Sequence, residues 1–125
     1  MAQYEVKITE CSKELSAKER IAIKDVTNAT KLDEATKDGN HITIDVDFYA
    51  ILSVHNEKSD DKDYDNYVIV DKSGEKFVTG SNSFFNSFKN IYDEMIDEDE
   101  DWSLDVYTRP SKNYTGKDFI TCSIL

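Results

Sequence analysis

The longest β-rich run in this chain is ITIDVDFYAILSV, which extends from Ile42 to Val54. Apolar and polar side chains alternate over its first half, and the apolar character continues through its second half. A strand of this length is expected to bend, and a change of phase near Phe48 to Ala50 predicts a β-bulge there. Because a small barrel needs a long, curved first strand in order to close, this run favours a barrel.

A hairpin and a helix are predicted after the long strand. Two short β-rich runs, Tyr67–Val70 and Lys76–Thr79, flank the turn-forming residues 71–74, which include Gly74. Apolar residues then recur at helical spacing behind serine N-caps. The spacing predicts an amphipathic helix that ends near Ile96.

Two alternating runs predict a second hairpin at the end of the sequence. They span residues 103–109 and 117–125, and a longer connector joins them. From residue 42 the order is strand, strand, strand, helix, strand, strand, which is the order of the OB barrel. We therefore predict a mainly β fold with α-helix, an OB-like five-stranded barrel with a helix between strands three and four.

The chain length of 125 residues predicts one domain. Residues 42–125 would form the barrel, and residues 1–41 would form an accessory N-terminal segment packed on it. Within that segment, Tyr4–Ile8 alternates like a strand, and Ser16 with Glu19 is a capping box for a short helix through Ile23.

Composition narrows the function classes. The formal net charge of -11 repels polyanions on average but permits a local basic groove. Cys11 and Cys122 lie outside any CxxC pair and are read as free thiols, with Cys122 buried on a strand. The N-terminal residues do not resemble a signal peptide and no run approaches a membrane span, so we expect a cytoplasmic protein without a membrane partner.

Catalytic and metal chemistry find little support in the sequence. His41 and His55 share no spacing with the cysteines that would make a zinc site. No nucleophile elbow, HExxH pair or phosphate-cradling Gly-rich loop occurs. We expect a non-enzyme with no cofactor and no bound metal.

An OB barrel binds oligonucleotides across strands two and three, between the first–second and fourth–fifth loops. The fourth–fifth loop region carries cations that can meet phosphates and aromatic rings on which bases can stack. With Leu104 and Val106 inward, the neighbouring side chains point outward, and the same holds with Ile120, Cys122 and Ile124 inward. The predicted nucleic-acid-binding residues are Tyr107, Arg109, Lys112, Tyr114, Lys117 and Phe119. Instead of DNA, the N-terminal segment or a second subunit could cover these aromatic side chains, so a homodimer is an alternative interpretation.

Two acidic segments have alternative readings. The predicted first–second loop, His55–Asn66, carries Lys58, Lys62 and Tyr64, but a mobile charged loop is the favoured interpretation. Its aspartates lack the glycine and glutamate that an EF-hand needs. The run Asp93 to Asp101 is favoured as a solvated helix end, and the functional alternative is a dock for replication or recombination proteins.

Several phrases of the sequence resemble single-stranded DNA-binding proteins encoded by phages and conjugative plasmids of Gram-positive bacteria. The phrases are Phe77–Ser81, the aromatic helix, the acidic run before Trp102, and Ser111–Ser123, with further likeness at Leu15–Arg20 and Lys24–Asp25. The resemblance implies an OB fold, sequence-tolerant binding of single strands, and a role in replication, recombination or transfer in a bacterial host cell. Such proteins often carry an acidic C-terminal tail, whereas this sequence closes with Ile124 and Leu125.

The leading hypothesis is therefore a non-catalytic protein that binds single-stranded DNA largely independently of sequence. The alternative is a phage-encoded protein-binding module that presents its acidic surface to a host nucleic-acid enzyme and inhibits it.

Overall fold

A computed structural model of the chain describes residues 4–58, 62–98, 101–110 and 118–125. The fold is mainly β, as predicted, and includes helices. The strands are β1 (Tyr4–Cys11), β2 (Thr30–Lys31), β3 (Ile42–Ile44), β4 (Val46–Asn56), β5 (Asp63–Asp71), β6 (Lys76–Thr79), β7 (Leu104–Pro110) and β8 (Asp118–Ile124). The helices are α1 (Ala17–Lys24), α2 (Leu32–Ala35), a short 3₁₀ helix (Lys37–Gly39) and α3 (Asn82–Met95).

The chain folds into two compact units. The first unit comprises residues 1–30 and 47–80, and the second unit comprises residues 31–46 and 81–125. The strands described belong to two sheets, and no closed barrel is found among them. The division into a barrel at 42–125 and an accessory segment at 1–41 stays a prediction. No helix of the described residues is long and apolar enough to cross a membrane.

The first unit contains a five-stranded sheet in the order β1-β4-β5-β6-β2. The predicted N-terminal strand and helix are both present, and β1 pairs antiparallel with β4 from Tyr4 opposite Asn56 to Cys11 opposite Ala50. Helix α1 begins with the predicted capping box, in which Ser16 accepts from the Glu19 N–H and the Glu19 carboxylate accepts from the Ser16 N–H.

The first predicted hairpin is confirmed. Strands β5 and β6 pair antiparallel, with Tyr67 opposite Thr79 and Val70 opposite Lys76. The Asp71 carboxylate holds the turn by accepting from the N–H groups of Ser73 and Glu75. Gly74 adopts a positive φ of 93°, a backbone conformation that residues other than glycine rarely adopt.

The core of the first unit forms where Leu15 and α1 cover one face of the sheet. Its buried members are Leu15, Ile23, Phe48, Ala50, Leu52, Val68, Val70 and Val78. Tyr67, Ile69 and Phe77 lie on the other face and are also buried. Neither face of the β5–β6 hairpin is therefore open at these positions.

The long strand is interrupted at Asp45, and the predicted bulge near Phe48 to Ala50 is wrong. The alternation of buried residues continues in one phase from Ile44 to Val54. Tyr49, on the opposite face, is also buried, and its hydroxyl donates to Glu10 Oε2 at 2.7 Å. Because residues on both faces of the strand are buried here, consecutive apolar residues in the sequence resemble a change of phase. The register shift lies instead in β1, between Ile8 and Glu10.

The loop between β4 and β5 is shorter than predicted. The predicted loop spans residues 55–66, whereas β4 continues to Asn56 and β5 begins at Asp63. The Asn56 N–H donates to the Lys62 carbonyl at 2.7 Å and closes the loop. The sequence did not mark these strand ends because the apolar alternation stops before them: residues 55, 56, 63, 65 and 66 are polar or charged.

The second unit contains a three-stranded sheet in the order β3-β7-β8, together with α3. The predicted second hairpin is confirmed, with β7 and β8 paired antiparallel. Helix α3 begins as predicted behind Ser81, whose hydroxyl accepts from the Phe84 N–H. Its buried face consists of Phe84, Phe85, Phe88 and Tyr92.

Residues along β7 and β8 alternate largely as expected. Leu104, Val106, Ile120 and Cys122 are buried. Ile124 was predicted to point inward, but 46% of its surface is exposed. It is the last residue of β8, which has one neighbour, β7, among the strands that the structure describes.

Candidate nucleic-acid interface

The face of the three-stranded sheet opposite the buried residues carries three rings and one guanidinium group. Tyr107 and Arg109 alternate with the buried residues of β7, and Phe119 alternates with those of β8. His41, immediately before β3, joins them through its ring contact with Tyr107. We call these four residues, His41, Tyr107, Arg109 and Phe119, the aromatic strip.

His41 was not predicted as a site residue. Ile42 pairs with Val106, which brings the preceding His41 beside Tyr107 on the neighbouring strand. The two rings stack with centroids 5.0 Å apart and planes inclined by 19°. The His41 Nδ1–H donates to the Asp105 carboxylate at 2.9 Å, which fixes the ring, while 57% of the side chain remains exposed. The imidazole therefore presents a held, accessible ring.

Arg109 connects the two aromatic parts of the strip. Its guanidinium carbon lies 5.6 Å from the centroid of the Tyr107 ring, within the range of a cation–π interaction. Arg109 also pairs directly with Phe119 on β8. Side chains directly opposite in an antiparallel pair lie on the same face, so a cation stands between two rings.

Tyr107 is held more tightly than a free surface residue. Its hydroxyl shares a hydrogen bond of 2.6 Å with the Ser123 hydroxyl, and the side chain is half-buried. Phe119 is 37% exposed and Arg109 is exposed. Of the predicted stacking residues described, Phe119 offers the more accessible ring, and Tyr107 supports His41 and Arg109.

Three predicted site residues, Lys112, Tyr114 and Lys117, lie outside the described residues. The flanking strands bring the two ends of their segment together, because Pro110 pairs with Asp118. Pro110 and Asp118 lie directly next to the paired residues Arg109 and Phe119, at the same end of the sheet. That proximity could be predicted from the hairpin, whereas the stack with His41 could not.

The acidic run, Asp93 to Asp101, begins in the last turn of α3. The helix stops at Met95, and residues 96–98 are exposed, as expected for a solvated helix end. Asp93 lies within the helix and contacts Lys89 at 2.9 Å, one turn earlier. Asp99 and Glu100 lie outside the described residues.

The loop between β4 and β5 is organised around His55. The Nδ1 and Nε2 atoms of this residue lie 2.7 Å from Asp63 Oδ1 and 2.9 Å from Glu57 Oε1. These hydrogen bonds raise the pKa of His55, and the bond with Asp63 has the largest effect. Lys62 contacts Glu57 at 3.4 Å, and Tyr64 is half-buried on β5. Glu57 thus contacts both His55 and Lys62 within the described part of this loop.

The first unit contains a cleft of about 380 Å³ between α1 and the β5–β6 turn. Its rim includes Lys13, which lies 3.9 Å from Asp47 and 4.0 Å from Glu19. The Lys76 ammonium donates to the carbonyls of Ala22 and Asp25 at the end of α1. Two of the three lysines that line the cleft, Lys13 and Lys76, are thus engaged within the unit, and the third is Lys72.

The two cysteines differ in environment. Cys122 is buried on β8, as predicted, and burial raises the pKa of its thiol to about 12. Cys11, at the end of β1, is half-buried. In the part of the chain that the structure describes, no three His, Cys, Asp or Glu side chains are grouped so as to hold a metal ion.

Comparison of the chain with known protein families, curated proteins and solved structures finds no match.

Proposed function

We propose that this protein binds single-stranded DNA largely independently of sequence and without catalysis, in the replication, recombination or transfer of phage or plasmid DNA. The observation that carries the proposal is the aromatic strip, in which a cation stands between stacked or exposed rings on one sheet face. Proteins that bind single strands without sequence preference combine cations along the backbone path with rings on which bases stack.

Strand pairing supports an OB-like architecture for this function. The run that begins at Ile42 pairs first with β7 and, after Asp45, with β5. Two antiparallel hairpins, β5–β6 and β7–β8, flank α3. A first strand shared between two sheets, followed by these hairpins, is what a partly open OB barrel requires. Among the described strands, β6 has β2 rather than β8 as its second neighbour, so the barrel we propose is an open one.

The proposed path of the DNA follows β7 and β8 rather than β5 and β6. In the OB barrel, strands two and three supply part of the binding face. Here the corresponding hairpin, β5–β6, is buried on both faces at Tyr67–Val70 and Phe77–Thr79. Bases would stack on His41 and Phe119, and Arg109 would meet a phosphate between them. Lys112, Tyr114 and Lys117 would extend the contact along the adjoining segment.

The net charge of the chain makes this a localised site. A formal charge of -11 gives no general attraction for a polyanion. Phosphates must therefore be met by the few cations at the strip, and stacking must contribute a large share of the affinity. Base–aromatic stacking is worth about 1 to 3 kcal/mol per base, so two rings contribute about 2 to 6 kcal/mol of binding free energy.

Fluorescence anisotropy with a labelled oligo-dT of about 20 nucleotides tests the proposal, because that length exceeds the roughly 4 to 16 nucleotides that one OB fold covers. The double variant Arg109→Ala/Phe119→Ala is expected to lose most of the binding. The matched control, Lys18→Ala/Ile124→Ala, also removes one exposed cation and one exposed apolar side chain. It is expected to bind as the parent protein does.

Two outcomes would contradict the proposal. Absence of binding at low salt would remove the DNA function and favour the alternative of an acidic module that binds a host protein. Equal loss in the double variant and in its control would place the DNA elsewhere than on the aromatic strip. Circular dichroism of both variants checks that the fold is unchanged.

A further inference from the structure

Strand β1 forms one end of the five-stranded sheet. It pairs with β4, and no other described strand pairs with it. One edge of its backbone therefore has no neighbour among the described strands over Tyr4–Ile8. Such an edge is a template for pairing with a further strand unless it is interrupted. The register shift after Ile8 limits the regular part of the edge to these five residues.

Side chains alternate cleanly along this segment. Val6 and Ile8 are half-buried against the core of the first unit, and Tyr4, on the same face, is 55% exposed. Glu5 and Lys7 lie on the other face, where their charged groups are 3.5 Å apart. Their side chains are 51% and 70% exposed, so both are accessible to a partner.

We propose that β1 pairs with β1 of a second copy of this chain, antiparallel and centred on Val6. In that register Glu5 lies opposite the partner's Lys7, and Lys7 lies opposite the partner's Glu5. On the other face, Tyr4 lies opposite the partner's Ile8, which covers its exposed ring. The sequence Tyr4-Glu5-Val6-Lys7-Ile8 is thus self-complementary in both charge and apolar character.

The alternative registers are electrostatically worse. Centring the pair on Glu5 places that carboxylate opposite its own copy, and centring it on Lys7 does the same with the ammonium. Like charges directly opposite in a sheet are destabilising. A pair centred between two residues would set a core-facing residue opposite an outward-facing one, because a slip of one residue exchanges the faces. Only the Val6 register satisfies both faces.

The other sheet ends are poorer sites for such pairing. Strand β2 has two residues and β3 has three, too short to hold a partner. Strand β8 is longer, but α3 packs against it, and the Thr121 and Ser87 hydroxyls lie 3.4 Å apart. Five paired residues make a small interface, so the dimer should be weak and reversible.

Charge reversal tests the proposal in the full chain. Sedimentation equilibrium over a concentration series up to about 0.5 mM is expected to show a monomer–dimer equilibrium. Glu5→Lys and Lys7→Glu each convert two attractive cross-strand pairs into two repulsive ones. Each variant is expected to raise the dimer Kd at least about 5-fold, and the double swap Glu5→Lys/Lys7→Glu is expected to restore it.

The two single variants move the net charge in opposite directions, which separates pairing from general repulsion. A Kd that rises in one variant and falls in the other would show a net-charge effect and overturn the proposal. A protein that stays monomeric throughout the series, or a double swap as weak as the single variants, would overturn it as well. Both residues are exposed, so circular dichroism is expected to be unchanged in all three variants.

Discussion

A salt titration of single variants should distinguish the contributions that stacking and charge on the aromatic strip make to DNA affinity. If Arg109 neutralises one phosphate of a single strand, its removal lowers the slope of log K against log salt by about 0.7. Between 50 and 200 mM salt, that slope change corresponds to about 2.6-fold. The binding defect of Arg109→Ala, measured by anisotropy with oligo-dT, is therefore expected to shrink by about this factor as salt rises.

Phe119→Ala should behave differently because a stacked ring releases no counterions. Loss of about 1 to 3 kcal/mol corresponds to a Kd about 5- to 150-fold higher, and the defect should be the same at both salt concentrations. Ile124→Ala is the matched control, since Ile124 is an exposed apolar residue on the same strand. Parallel salt plots for Arg109→Ala and the parent protein would refute the phosphate contact. Equal affinities of Phe119→Ala and Ile124→Ala would refute stacking.

Three further outcomes follow from the described residues. Because hydrogen bonds to two carboxylates raise the pKa of His55, its stabilising effect is complete below the unfolded-state value of about 6.5 and is lost as pH rises through the higher folded-state pKa. Thermal denaturation should therefore show a deficit for His55→Gln at pH 5.5 that fades by pH 8.5, and a deficit that grows with pH would contradict this. Phe88 is fully buried and packs against other rings of α3. The variant Phe88→Ala should lose about 3 to 5 kcal/mol of unfolding free energy, measured by urea denaturation, and a loss below about 1 kcal/mol would contradict this packing. Iodoacetamide at pH 8 should modify Cys11 before Cys122, whose thiol has a pKa of about 12, and mass spectrometry showing the reverse order would argue against burial of Cys122.

The elements best predicted from the sequence are those that local chemistry specifies. The serine cap and aromatic spacing gave α3 to within a residue at its end, and the turn at Gly74 gave the first hairpin. Each depends on residues that are near neighbours in the chain. Long-range pairing is what local patterns lack, so the place of β1 beside β4 was not predictable.

The candidate site shows the same division. Alternation along β7 placed Tyr107 and Arg109 outward, as the structure has them. His41 carried no local signal, because its role depends on the register that sets Ile42 opposite Val106. Its contact with Asp105 crosses 64 positions of the sequence. A residue that gains its function from a neighbouring strand is visible only once the sheet is known.

The core beneath α1 has a consequence for synthesis of the protein. Ile23 packs in one cluster with Val78, so the helix emerges from the ribosome well before the strands that cover it. At about 5 to 20 residues per second, the intervening chain takes about 3 to 11 seconds to be made. During that interval Leu15 and Ile23 lack the part of their core that β5 and β6 supply, namely Val68, Val70 and Val78. The N-terminal segment therefore waits for the β5–β6 hairpin, and a stall in translation before residue 78 would leave its apolar side chains open to chaperones or to aggregation.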